Sequence, residues 1–166
     1  MPYPELLRMF DAGMADTNRY ALGTRWLAEL TDDAVTALAE GAATRTSPFS
    51  LLVLHQFHGA AARVAPDATA FALRRDHLLA EVIAVWEAGA EGEDPAVTAA
   101  AHLEWTEQVS TALAPGALPG GYPNILGPDQ ADRAKLGYAG NADRLLAAKH
   151  RYDPDAVFTA VGAITP

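Results

Sequence analysis

The sequence predicts an α+β fold, an antiparallel β-sheet with helices packed on one face. Three observations lead there. Strand-like and helix-like patterns interleave along the chain. No glycine-rich phosphate loop joins a strand to a helix, as a doubly wound parallel sheet would have. Apolar residues make up 50% of the chain, and 166 residues are enough to bury a real core in one domain, read here as 1–121 plus a C-terminal segment 122–166.

In chain order, residues 4–12 read as a short helix with Pro4 in its first turn and Gly13 at its end. Residues 18–30 alternate, with Tyr20, Leu22, Thr24 and Trp26 on one side, which predicts a half-buried strand. Asp32 and Asp33 open an amphipathic helix to about Thr44, with Val35, Leu38, Ala39 and Ala42 on one face. FSLLVLHQF, 49–57, is rich in aromatic and branched residues and reads as a central strand that Ala60–Val64 continues past Gly59. Pro66-Asp67 marks a turn, and Phe71 to Arg75 reads as a short edge strand.

LLAEVIAVW, 78–86, reads as a third strand, although its periodicity alone also allows a helix. After an acidic Gly/Pro loop at 87–95 comes a long helix from Ala96 to Leu113, with Ala101, Trp105, Val109 and Ala112 at helical spacing. A turn-rich connector leads to a short strand at 122–126. Two helices follow, near 129–137 and 141–151, the second with Asn141 as N-cap, and a tail with Phe158, Val161 and Ile164 closes the chain.

Composition narrows the function classes. There is no cysteine, so no disulfide framework, thiolate metal site or cysteine nucleophile. The net charge of -9 comes without a basic stripe, which argues against nucleic acid. No apolar run is long enough for a transmembrane helix, and the N-terminus lacks the basic and cleavage regions of a secretory signal, so the expected location is cytoplasmic. His102 and Glu104 are two apart on a helix and diverge, so no metal site is expected. A Gly-x-Ser-x-Gly elbow is absent.

The C-terminal third carries a specific pattern: Tyr122-Pro123-Asn124, Tyr138, Gly140-Asn141, Arg144-Leu145, Lys149, Tyr152-Asp153-Pro154 and Phe158. It resembles the C-terminal region of berberine-bridge-enzyme-like oxidases, FAD-linked enzymes of the vanillyl-alcohol-oxidase superfamily. HQFHGAAARVAPDATAFALRRD, 55–76, and PYPELLRMFDAG near the start also resemble the substrate-binding part of bacterial members. The resemblance implies a substrate-binding domain whose sheet forms one wall of the active site. It also implies that FAD is held mainly by a separate N-terminal domain with no counterpart in this sequence. FAD is therefore expected only with a partner domain, and none with this chain alone. Where the family's Tyr-x-Asn-Tyr pattern places a tyrosine base, this chain has Ile125, and Ala142 follows Asn141 where a second tyrosine is expected.

Candidate residues follow from residue chemistry. His55 or His58 is the best general acid/base, because histidine titrates near neutrality; three apart on a strand, they point to opposite faces and do not share a metal. Tyr122 joins them as a catalytic candidate, and Asn124 as a substrate or cofactor contact. Arg25, on a strand among apolar residues, could clamp a carboxylate or enolate. The expected pocket is lined by Tyr20, Arg25, Leu52, His55, Phe57, Val82 and Trp86. Three readings stay open: the substrate half of a split FAD oxidoreductase acting on a small organic metabolite, a flavin-independent cyclase or isomerase, or a non-catalytic small-molecule binder. A bare sheet face calls for cover, so a homodimer or a separate FAD-binding subunit is expected.

Overall fold

The structure, a computed structural model, describes residues 1–8, 16–89, 94–127 and 130–158. Its elements are α1 (Tyr3–Arg8), β1 (Asn18–Leu27), α2 (Asp32–Ala43), β2 (Leu51–Phe57), the single turn α3 (Ala60–Arg63), β3 (His77–Glu87), α4 (Pro95–Ala112), β4 (Ala117–Leu118), α5 (Ala131–Tyr138) and α6 (Ala142–Tyr152). Every strand pairing is antiparallel, in the order β2-β3-β1-β4. The α+β expectation holds. No helix among the described residues is long and apolar enough to cross a membrane.

Register assigns the two faces. Gly23 pairs with Val82, and Leu52 pairs with Val82 from the other side. Side chains alternate along a strand, so Leu78, Ala80, Val82, Ala84 and Trp86 share one face with Ala21, Gly23, Arg25 and Leu27 of β1 and with Leu52 and Leu54 of β2. Helices α2 and α4 lie on this face. Leu27, Ala80, Val82, Ala84 and Trp86 close a core there with Ala34, Ala37, Trp105, Val109 and Leu113. The small alanines of β3 let α4 approach, and the Trp105 indole N–H donates to Gly41 O at 3.1 Å, so the largest core side chain leaves no unpaired donor.

Helix starts have local causes. Thr31, not Asp32, caps α2, its hydroxyl accepting from the Ala34 amide at 3.2 Å. Asp94 does the same for α4, accepting from the Ala96 amide at 2.9 Å, with Pro95 in the first turn.

Several expectations are corrected. The buried stripe of α2 is Ala34, Ala37 and Gly41, with Val35 half exposed, because small residues fit closest against α4 and the sheet. On α4 the buried positions are Trp105, Thr106, Val109 and Ser110, while Ala101 and Ala112 face outward. The strand expected to be central, β2, is an edge strand: among the described residues it pairs only with β3, and Leu54, His55 and Gln56 are exposed.

Residues 60–63 form a helical turn rather than more strand, because Gly59 at φ 64 reverses the backbone out of the sheet. Residues 71–75 are not a strand. Phe71 O accepts from the Arg74 side chain at 3.1 Å and Arg75 O from His77 Nδ1 at 2.7 Å, and Arg74 also reaches Ala61 O at 3.2 Å. The expected strand at 122–126 is a 3-10 turn over Pro123–Ile125, and the added strand is β4 just before it. For the N-terminal helix, Phe10 and Gly13 lie outside the described residues, as do Val161 and Ile164 of the tail.

Candidate functional site

The fourth strand, β4, pairs with β1 only at Trp26 and Leu27. Among the described residues, the rest of that edge of β1 has no strand beside it. A cleft of about 680 Å³ follows this edge, within the range of small-molecule sites. Its floor is Tyr20 to Gly23 and Arg25. One wall is the α4 stripe Leu103, Thr106, Glu107 and Ser110, and the other is Asn124 to Gly127 with Gln130.

Three of the expected site residues, Tyr20, Arg25 and Asn124, thus meet in one cleft. Ser110 is buried within it, and its hydroxyl has no partner. The hydroxyl sits where Gly23 lacks a side chain: a Cβ on Gly23 would lie 2.0 Å from Ser110 Oγ. Arg133 anchors the far wall, donating to Thr24 O at 2.7 Å, Gly120 O at 3.2 Å and Gln130 Oε1 at 2.7 Å.

The sheet face opposite the helices mixes aliphatic residues such as Leu79 and Val85 with polar and aromatic ones. At one end Trp26, Phe57, Phe71, His77 and Tyr122 form a ring cluster. Phe57 stacks on His77 at 4.7 Å, Trp26 meets His77 edge-on at 5.8 Å, and Tyr122 stands perpendicular to Phe71 at 6.0 Å. This contact seats the 122–127 turn on the sheet, and the Asn124 amide donates to the Tyr122 hydroxyl at 3.1 Å. His77 Nδ1 donates to Arg75 O at 2.7 Å, so Nε2 is the ring's acceptor atom. Both His77 Nε2 and the nearby Trp26 Nε1 are buried without a partner. Burial pushes the His77 pKa below the ordinary histidine value, more than its carbonyl bond raises it.

Further along this face, His55 Nε2 lies 3.4 Å from a Glu81 carboxylate oxygen. Register explains the pair: His55 is opposite Leu79, one same-face position from Glu81.

The seven residues expected to line one pocket do not share a face. Leu52, Val82 and Trp86 lie on the helix-covered face, with Val82 and Trp86 in its core and Leu52 packed against it. Arg25 is on that same side but at the edge, where the cleft reaches it. Tyr20, His55 and Phe57 point to the other face. His55 stands two strands from the cleft, roughly 10 Å across the sheet, and His58 follows the end of β2 and is exposed. Sequence reasoning missed Ser110, Glu81 and His77. Glu81 was visible as a lone charge within LLAEVIAVW, and His77 as the position that extends its alternation by one residue.

No group of three His, Cys, Asp or Glu poised for a metal occurs among the described residues. His102 instead stacks on Trp86 at 4.7 Å and bonds the Thr46 hydroxyl at 2.7 Å. The C-terminal motifs are structural. Asn141 is the N-cap residue of α6, as expected, but its side chain makes no cap bond; its amide donates to Pro66 O at 2.7 Å and Thr69 O at 3.0 Å, tying the helix to the 60–76 loop. Asp153 receives Lys149 and the amides of Val157 at 2.8 Å and Phe158 at 3.0 Å, and the lysine bond above all holds its carboxyl below the usual range.

An antiparallel sheet with helices on one face and a cleft at its margin makes this an α+β domain. Residues 121–165 match the family described as Berberine and berberine like. Over 108 residues the chain is 32% identical to YgaK, an uncharacterized FAD-linked oxidoreductase of Bacillus subtilis (strain 168), covering 65% of this chain and 22% of that protein.

Among solved structures, a berberine bridge enzyme variant described as a reticuline dehydrogenase has a TM-score of 0.74 at 23% identity, over 91% of this chain and 34% of that one. BBE-like #28 from Arabidopsis thaliana has a TM-score of 0.76 at 19% identity, over 89% and 34%. GilR, an oxidoreductase of gilvocarcin biosynthesis solved with pregilvocarcin, has a TM-score of 0.72 at 21% identity, over 92% and 34%. The chain is thus similar to berberine-bridge-enzyme-like and FAD-linked oxidoreductases over part of their length. It spans about a third of the length of these solved structures and 22% of YgaK.

The residues described here do not fit the diphosphate of FAD. Thr31 and Asp94 side chains occupy the starts of α2 and α4, the latter with a negative charge. Gly120, Gly121 and Gly137 serve chain packing: a Cβ on Gly137 would lie 2.5 Å from Gly121 O.

Proposed function

We propose that this chain is the substrate-binding part of a berberine-bridge-enzyme-like FAD-dependent oxidoreductase, acting on a small organic compound of secondary-metabolite type, with FAD held by a partner domain. The observation that carries this reading is the cleft along the edge of β1, set in a fold that matches about a third of the length of such oxidases. In this reading Tyr20, Arg25 and Asn124 orient the substrate. Ile125 cannot take a proton, so the reaction's base is not at that position. FAD, when bound by its own domain, supplies the hydride acceptor.

The partner domain is either a separate FAD-binding subunit or absent in favour of a homodimer. Exposed apolar residues such as Tyr3, Leu7, Val157 and Phe158 support an assembly.

The test is flavin absorbance of the purified chain, alone with added FAD and after co-expression with candidate FAD-binding polypeptides. The expected result is no stoichiometric flavin on the chain alone and a yellow complex with its partner. Stoichiometric FAD on the isolated chain would overturn the partner arrangement. Sedimentation of a monomer at micromolar concentration, with no flavoprotein bound, would overturn the assembly.

A second reading has its own support. The His55–Glu81 pair could hold and move a proton on the ring-bearing face, which suits a flavin-independent cyclase or isomerase. His55→Gln would then abolish turnover that proceeds without flavin, while retained turnover would eliminate this reading.

A further inference from the structure

We infer that the cleft along β1 holds its ligand by backbone pairing, and that the ligand is a small compound with a peptide backbone, lying extended against Leu22. This rests on the proposal above that the cleft is the substrate site, and it names the class of substrate.

The direction of the β1 backbone carries the inference. Along an antiparallel strand, the N–H and C=O of one residue point to one side and those of the next residue to the other. The Ala88 amide, just past β3, donates to Thr17 O at 3.2 Å, so Ala21 and Gly23, in step with Thr17, turn their backbone groups to β3. Thr24 O accepts from Arg133 Nη2 at 2.7 Å and from Arg25 Nη1 at 2.8 Å, and Trp26 pairs with Leu118 of β4. The residues in step with Thr24 and Trp26 therefore face away from β3.

Leu22 is in that set. It is half-buried and lines the cleft, and no described residue bonds its N–H or C=O on that side. A donor and an acceptor of one residue, side by side on a strand edge, match the C=O and N–H of one residue of an added extended chain.

The cleft has the shape for one such chain. Leu103 and Thr106 of α4 wall it on the helix side of the sheet, and Asn124 to Gly127 on the other. A single extended backbone about 4.8 Å from β1 fits between these walls, whereas the edge of a second covered sheet meets them. The ligand residue opposite Leu22 sends its side chain to the face of Leu22, towards Ile125, so an apolar side chain suits that position.

The experiment titrates N-acetyl-alanyl-leucyl-alanine methylamide into the full chain, followed by amide NMR shifts and hydrogen exchange. An ester analogue replaces the leucine N–H by oxygen, and p-cresol is the non-peptide probe. Before any ligand, the Leu22 amide should exchange about tenfold faster than those of Ala21 and Gly23, which are bonded to β3. The peptide should give saturable shifts at residues 20–24 and 124–127, slow Leu22 exchange, and bind about fivefold tighter than the ester, the worth of one hydrogen bond. Leu22→Pro removes the N–H without removing a bond to β3, so it should lose the peptide while shifts elsewhere stay native.

Equal affinity for peptide and ester, or Leu22 exchange as slow as that of Ala21 in the free chain, would overturn the backbone pairing. A segment of the FAD-binding polypeptide offers the same backbone chemistry. Leu22 exchange should stay fast in that complex until the peptide is added, and protection by the complex alone would overturn the substrate class. Saturable cleft shifts with p-cresol but not with the peptide would overturn this inference and leave the cleft as a ligand site. Silence of all three probes would remove the cleft from the functional reading as well.

Discussion

The two faces of the sheet differ in kind. Under α2 and α4 the strands present Ala80, Val82, Ala84 and Leu27, all 1% exposed or less, and the one polar atom on the large core side chain of α4 is bonded to Gly41. On the other face His77, Glu81, Thr24 and His55 stand beside the buried Leu79 and Val85, with His77 part of a five-ring aromatic cluster; three of the four unpartnered buried polar atoms among the described residues are there, on Thr24, Trp26 and His77, the fourth being the Ser110 hydroxyl on the helix side. The first face maximises dispersion and apolar burial. The second keeps polar groups unspent, at a cost in stability that a purely structural face would not carry. The cleft lies where the two faces meet.

The sharpest way to break this comparison is Trp105→Ala. It empties the helix-covered core and orphans Gly41 O, and it should cost about 3–5 kcal/mol by urea unfolding. A loss below about 1 kcal/mol would mean that this face does not hold the fold together.

Gly23→Ala should cost about 1–3 kcal/mol by overpacking against the Ser110 hydroxyl. The double variant Gly23→Ala/Ser110→Ala should recover most of that loss, since the overlapping oxygen is gone. Additive losses would show that the two positions do not touch.

The polar face should reveal itself through pH. The folded pKa of His77 is lowered, so between that value and the ordinary one the unfolded chain binds more protons. Its contribution to stability is therefore complete above about pH 6.5 and is lost as pH falls through the folded value. His102, lowered by burial alone, adds in the same direction from the helix-covered side. Unfolding midpoints should drop from about pH 7.5 to about pH 5.5, and less so in His77→Phe. A pH-independent midpoint would make the burial of His77 irrelevant to stability. The smallest effect is expected for Tyr122→Phe. It removes only the hydroxyl that accepts from Asn124 and should cost no more than about 1 kcal/mol, leaving the ring cluster intact.

Much of the fold was legible because alternation and capping are local. The 18–27 alternation, the Asp-rich start near residue 32, the apolar strand at 77–87 and the long helix after Pro95 all follow from residues within one or two turns of each other. The Asp153-Pro154-Asp155 turn was visible for the same reason, since Asp153 binds its own neighbours.

The misreadings were all of non-local origin. Whether β2 is central or an edge depends on which strands pair with it, and its composition does not carry that information. Phe71 and Tyr122 suggested strands by residue type, but both are aromatic because they meet across the chain at 6.0 Å.

What the sequence by itself determined is the class: α+β, without a phosphate loop, carrying a berberine-like C-terminal pattern. Individual candidates such as Arg25, Tyr20 and Asn124 were also nameable from residue type and local setting. What only the tertiary structure decided is which of them share a site. Strand parity sends Leu52, Val82 and Trp86 beneath the helices and His55 to the far margin, and the two-residue length of β4 opens the edge of β1 where Arg25, Asn124 and Ser110 meet. The physical reason is that periodicity specifies which residues of one element point together. Register and the ends of pairing, set by packing between distant segments, specify which elements face each other.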